Sequence, residues 1–96
     1  MLARVTAWEG GSADALRAAA AEMQQRAPSG PPEGVVSTGF TMLVEPDAGR
    51  ALMIGLFASE ADLDASEPVL QSMSPPDGVG SMVSKHVYDV GIDVRM

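Results

Sequence analysis

The chain is predicted to fold as one α+β domain over residues 1–96, and three observations predict it. A short motif occurs twice, as Pro31-Pro32-Glu33-Gly34-Val35 and as Pro75-Pro76-Asp77-Gly78-Val79. Each copy follows a helix-like stretch with a similar opening, Ala13-Asp14-Ala15-Leu16 in one half and Ala61-Asp62-Leu63 in the other. Each helix-like stretch in turn follows a strand-forming segment, one ending in Trp8 and the other in Phe57. Two strand–helix–strand units are therefore legible in a chain with room for a single core.

Residues 1–8 alternate Ala3, Val5 and Ala7 with Leu2, Arg4, Thr6 and Trp8, which predicts a strand with two different faces. Gly10-Gly11 breaks it. Ser12 is the expected N-cap of a helix running to about Ala27, with Asp14 well placed against the helix dipole. Residues 35–44 are expected to form the second strand, with Val36, Thr38, Phe40, Met42 and Val44 on one side. Glu45-Pro46-Asp47-Ala48-Gly49-Arg50 is a hairpin turn, with Pro46 presetting its backbone. Ala51 to Phe57 is apolar on both faces, the pattern of a strand central in its sheet.

Ser59-Glu60-Ala61-Asp62 opens a second helix, which Pro68 is expected to kink or split near Ser66. Residues 81–95 are expected to form a last strand. Met82, Ser84, His86, Tyr88, Val90, Ile92 and Val94 fall on one face, and Val83, Lys85, Val87 and Asp89 on the other. At ~3.3 Å per residue such a strand would reach ~50 Å, more than one small sheet needs. A bend at Gly91 and a C-terminal arm crossing to a partner subunit account for the excess.

Composition bounds the function. A domain this small buries only about 60–65% of its unfolded surface, yet 46% of its residues are hydrophobic. The surplus points to apolar surface covered by another copy of the chain. The net charge of −7, with Arg4, Arg17, Arg26, Arg50, Lys85 and Arg95 scattered, argues against nucleic-acid partners and anionic membranes. Without cysteine there is no disulfide, thiolate nucleophile or cysteine-based zinc site. Neither a signal peptide nor a ~20-residue apolar span is legible, so the expected location is cytoplasmic.

The order β-α-β-β-α-β is the ferredoxin-like arrangement, which places both helices on one face of a four-stranded antiparallel sheet. The other face must then be covered. Trp8, Phe40, Met42, His86 and Tyr88 are assigned to it, and an apolar sheet face of that kind marks an interface. Two sheets packed face to face in a homodimer would cover it.

The chain resembles the dimeric α+β barrel proteins, the superfamily of the antibiotic-biosynthesis-monooxygenase-like and stress-responsive barrel domains. The resemblance is carried by Ala3-Arg4-Val5-Thr6-Ala7-Trp8-Glu9-Gly10, by the hairpin around Glu45-Pro46-Asp47, by Leu56-Phe57-Ala58-Ser59-Glu60-Ala61-Asp62-Leu63 and by Val87-Tyr88-Asp89-Val90. It implies a barrel formed by two sheets across a dimer, with any small ligand between a sheet and its helices or inside the barrel. Monooxygenases and haem-degrading members of that superfamily rely on an Asn beside a Trp, and the haem degraders add a His on a helix. This chain has no Asn, and its one His, His86, lies in a predicted strand. The haem-type reading therefore fails, and no cofactor is expected. The monooxygenase reading keeps Trp8 and Tyr88 but lacks the amide that would stabilise a substrate oxyanion.

The candidate ligand-pocket residues are Arg4, Trp8, Phe40, Met42, His86 and Tyr88. His86 is either a general base or ligand contact, or a strand histidine half-buried at the dimer interface. It has no His or Cys partner for a metal. Trp8 and Tyr88 either line an aromatic pocket or fill an ordinary core. Arg4 shares a strand face with Trp8 and needs an anion, for which Asp89 or Asp93 is the expected structural partner. Glu60, Asp62, Asp64 and Glu67 are assigned to the start and solvated face of the second helix. Glu33 and Asp77 are assigned to turn chemistry, and the methionines to packing. Three functions stand open: a dimeric binder of a small apolar or aromatic metabolite, a cofactor-free oxygenase or isomerase using Arg4, Trp8, His86 and Tyr88, and a structural module without ligand.

Overall fold

The computed structural model describes residues 1–30, 33–73 and 78–94. The elements are β1 (Leu2–Gly10), α1 (Ala13–Arg26), β2 (Gly39–Glu45), β3 (Arg50–Phe57), α2 (Glu60–Ser72) and β4 (Gly80–Asp89), with short 3-10 turns at Ala27–Ser29 and Pro46–Ala48. All pairings are antiparallel and the strand order is β2-β3-β1-β4. This is the expected β-α-β-β-α-β fold, with the apolar β3 in the sheet interior. The Pro-Pro halves of both repeats, Asp77 and Arg95 lie outside the described residues.

Both helices start where local chemistry places them. Ser12 and Ser59 are extended N-caps whose hydroxyls accept the backbone N–H groups of Ala15 and Asp62. Each helix then covers its own part of one sheet face. Leu16 and Ala19 of α1 bury against Ala51 and Val79, flanked by Trp8, Met42, Val44 and Met53. Leu63 of α2 buries against Val35 and Phe57, flanked by Leu2, Val69 and Leu70.

The repeated motif closes these two cores crosswise. Val35, from the first copy, sits under α2, and Val79, from the second copy, sits under α1. Gly34 and Gly78 take φ of 86° and 82°, the region open to glycine. A Cβ on Gly34 would lie 2.8 Å from Val69, and one on Gly78 would lie 2.6 Å from Ala15. The second loop is further tied to α1 by the Ser12 N–H donating to the Gly78 carbonyl at 3.0 Å.

Four expectations are corrected. β2 begins at Gly39 rather than Val35, because Val35 and Val36 dock on α2, where the Val36 N–H donates to Ser66 Oγ at 2.8 Å, and the chain rejoins β3 only at Thr38. α2 is one continuous helix through Pro68. Pro68 and the Asp64 carbonyl whose bond it forgoes lie on the exposed side, where water can satisfy that oxygen. β4 ends at Asp89 rather than running on to residue 95, and its pairing to β1 closes with the Val90 N–H on the Met1 carbonyl. Finally, the β1–β4 register shifts between Ala7 and Trp8, so Ala7 faces Ser84 while Trp8 faces Met82. The extra residue, Val83, is a bulge that moves Met82 off the face of Ser84, His86 and Tyr88.

Candidate functional site

Strand alternation separates the six candidate residues into two groups. On β1, Leu2 and Trp8 belong to the two cores under the helices and Arg4 pairs with α2. The even-numbered residues of β1 therefore face the helices, and Ala3, Val5 and Ala7 face the other way. The register carries Phe40, Met42 and Val44 of β2 to the helix side with them. His86 and Tyr88 pair with Val5 and Ala3 and stand on the helix-free side. The assignment of Trp8, Phe40 and Met42 to the helix-free face is thus corrected. Trp8 and Met42 pack on the cluster of Leu16 and Ala19 from α1, and Phe40 borders α1 at Ala20 and Met23, contacts that period-2 alternation alone does not specify.

On the helix side, the Trp8 indole N–H donates to Thr6 Oγ1 at 3.0 Å, and Thr6 is buried. Trp8 is a core residue with its one donor satisfied. Arg4 is held by Glu67 of α2, not by Asp89 or Asp93 as expected: its Nε donates to the two carboxylate oxygens at 3.2 and 2.8 Å. Lys85 Nζ donates to the same carboxylate at 2.8 Å. Burial disfavours the charged form of Glu67. The Lys85 hydrogen bond, together with the charge and hydrogen bond of Arg4, outweighs it and holds the carboxyl below its usual range. Glu67 therefore leaves the set of solvated acids. Its place four residues after the apolar Leu63, on the same face of the helix, was the signal available in the sequence.

Phe40 and Met42 border a shallow groove of ≈ 210 Å³ between α1 and β2, completed by Ala20, Met23, Gln24 and Ala27. Phe40 remains half-exposed there.

The helix-free face is the larger feature. β3 contributes Leu52, Ile54 and Leu56; β1 contributes Ala3, Val5 and Ala7; β2 contributes Thr41 and Leu43; and β4 contributes Ser84, His86 and Tyr88. Leu43 is 50% exposed and Tyr88 54%. The His86 and Tyr88 rings lie 6.0 Å apart, tilted at 43°. No Asp, Glu, Lys or Arg stands among these residues. Charge appears only at one end, where Glu9, Glu45 and Arg50 rim an open cleft of ≈ 400 Å³ whose floor includes Ala7, Leu43 and Leu52. Arg50 and Glu45 are ion-paired across the hairpin.

In chemical terms the face offers apolar contact area with one imidazole, one phenol and one hydroxyl at its β4 edge. Among the described residues no three His, Asp or Glu side chains cluster as a metal site, and no helix is long and apolar enough to cross a membrane. Compared with known protein families, curated proteins and solved structures, the chain matches none.

Proposed function

We propose that the protein is a homodimer of the dimeric α+β barrel type, in which two helix-free sheet faces meet and the space between them takes a small apolar or aromatic metabolite. The carrying observation is the uncharged apolar face, with Leu43, Leu52 and Tyr88 exposed to water on a chain of net charge −7. Four strands at ~4.8 Å and about eight residues at ~3.3 Å give that face a footprint of about 500 Å². This is a large part of the ~800 Å² that each partner of a stable complex covers. The segment after Asp89 supplies more, since Ile92 and Val94 are 82% and 61% exposed.

Binding is favoured over oxygenase or isomerase chemistry by the placement of the four residues that chemistry would need. Arg4 and Trp8 lie under the helices and are engaged by Glu67 and Thr6, whereas His86 and Tyr88 lie on the opposite face. Within one protomer they form no common site.

Sedimentation equilibrium at micromolar concentration tests the dimer, with a mass of two chains expected. Titration of the dimer with a small fluorescent aromatic probe tests the ligand, with saturable binding expected that Tyr88→Ala and His86→Ala weaken. A single-chain mass would sink the dimer. A dimer that takes up no probe would leave the structural-module reading. Oxygen uptake with an anthrone-type substrate, abolished by His86→Ala, would restore the enzyme reading.

A further inference from the structure

We infer that the open cleft at the hairpin end of the face is filled by the arm that follows β4 in the partner protomer, with Ile92 and Val94 as the inserted side chains. The inference rests on the face-to-face dimer proposed above and specifies where the arm seats. The cleft of ≈ 400 Å³ is lined by Ala7, Leu43 and Leu52 together with the charged Glu9, Glu45 and Arg50 at its rim, room for two branched aliphatic side chains. Ile92 and Val94 are the matching groups, alternating along residues 90–94 and exposed on leaving the sheet. They lie in the segment where the β1–β4 pairing has closed.

A protomer's own arm does not reach Leu43, on the far side of this cleft. Asp89 pairs with Leu2, whereas Leu43 pairs with Leu52 and Leu52 with Ala7. The two positions are therefore separated by five residues along the strands and by three strand spacings, about 22 Å in all. Ile92 and Val94 are three and five residues beyond Asp89, reaches of about 11 and about 17 Å, both short of Leu43. A partner sheet laid face to face with its strands opposing those beneath brings its own Asp89 end over the Ala7–Trp8 end. From there residues 90–94 span the remaining distance. The occupant is thus a second copy, and its arm adds the area that the flat face leaves short of a stable interface.

The absence of cysteine makes the test direct. Leu43→Cys and Ile92→Cys are made as separate variants, mixed, and oxidised at micromolar concentration, with Arg26→Cys on α1 replacing Leu43→Cys as control. A disulfide-linked heterodimer is expected in at least tenfold excess over the control. Ile92→Asp is expected to raise the dimer dissociation constant roughly tenfold or more while leaving the circular dichroism unchanged. If the protein sediments as a dimer but Leu43→Cys links no better than the control, the arm assignment is overturned and the dimer stands. If it sediments as a monomer, both fall.

Discussion

Glu67 carries an electrostatic arrangement that links α2 to two strands. Its carboxylate accepts from Arg4 on β1 and Lys85 on β4. Because its pKa in the folded protein lies below the ordinary value of ~4.3, the stabilisation is fully present above that value. It is lost as pH falls through the lowered folded pKa. Glu67→Gln should therefore flatten the fall in stability on acidification below about pH 4. At pH 7 it should cost about 1–3 kcal/mol, because Arg4 is left largely buried without its anion. Urea midpoints measured from pH 7 to pH 3 check both effects; an unchanged acid limb would remove Glu67 as its source. Ser66 is the neutral counterpart. It is fully buried, donates to the Asp62 carbonyl and accepts from the Val36 N–H. Ser66→Ala should cost about 1–3 kcal/mol by orphaning that N–H, measured by chemical denaturation.

At the scale of elements, the doubled motif has a definite role. Each copy inserts a valine beneath the helix of the other half, so each loop completes a core that its own half does not build. Gly78→Ala would place a methyl against Ala15 on a backbone at φ 82°. The expected loss is ~2 kcal/mol or more. Gly34→Ala should behave similarly through Val69. Thermal unfolding of the two variants measures this, and a midpoint within a degree of the parent in both would show that the crosswise closure contributes little. The bulge at Val83 matters for the same reason: it decides which β4 side chains share the helix-free face with His86 and Tyr88.

For the whole molecule, the asymmetry between the two sheet faces dominates. One carries two helices and both buried clusters; the other carries Leu43, Leu52, Ile54, Leu56 and Tyr88, none of which belongs to either cluster among the described residues. Leu52→Glu changes a side chain outside both buried clusters, so the protomer's secondary structure should be retained. Stability should instead lose its dependence on protein concentration, since a folded dimer is stabilised by mass action and a monomer is not. Melting temperatures across a hundredfold concentration range distinguish the two. A parent protein whose melting temperature ignores concentration would argue against the covered face.

Element order, the serine caps, the hairpin at Pro46 and the interior position of β3 in the sheet were all legible in the chain, because each rests on interactions between near neighbours or on short periods. The division into two matched halves was legible for the same reason. Tertiary structure alone decided which face each strand residue joined and which anion reached Arg4. The first depends on the register across the four strands and on which face the helices cover, with a one-residue bulge moving Met82 off the face of His86. The second depends on how α2 lies across β1 and β4, which brings Glu67 to a residue 63 positions away. Local sequence determines which elements form and where they begin. The contacts that assemble a site are long-range, and here they place Arg4 and Trp8 under the helices while leaving His86 and Tyr88 on the helix-free face.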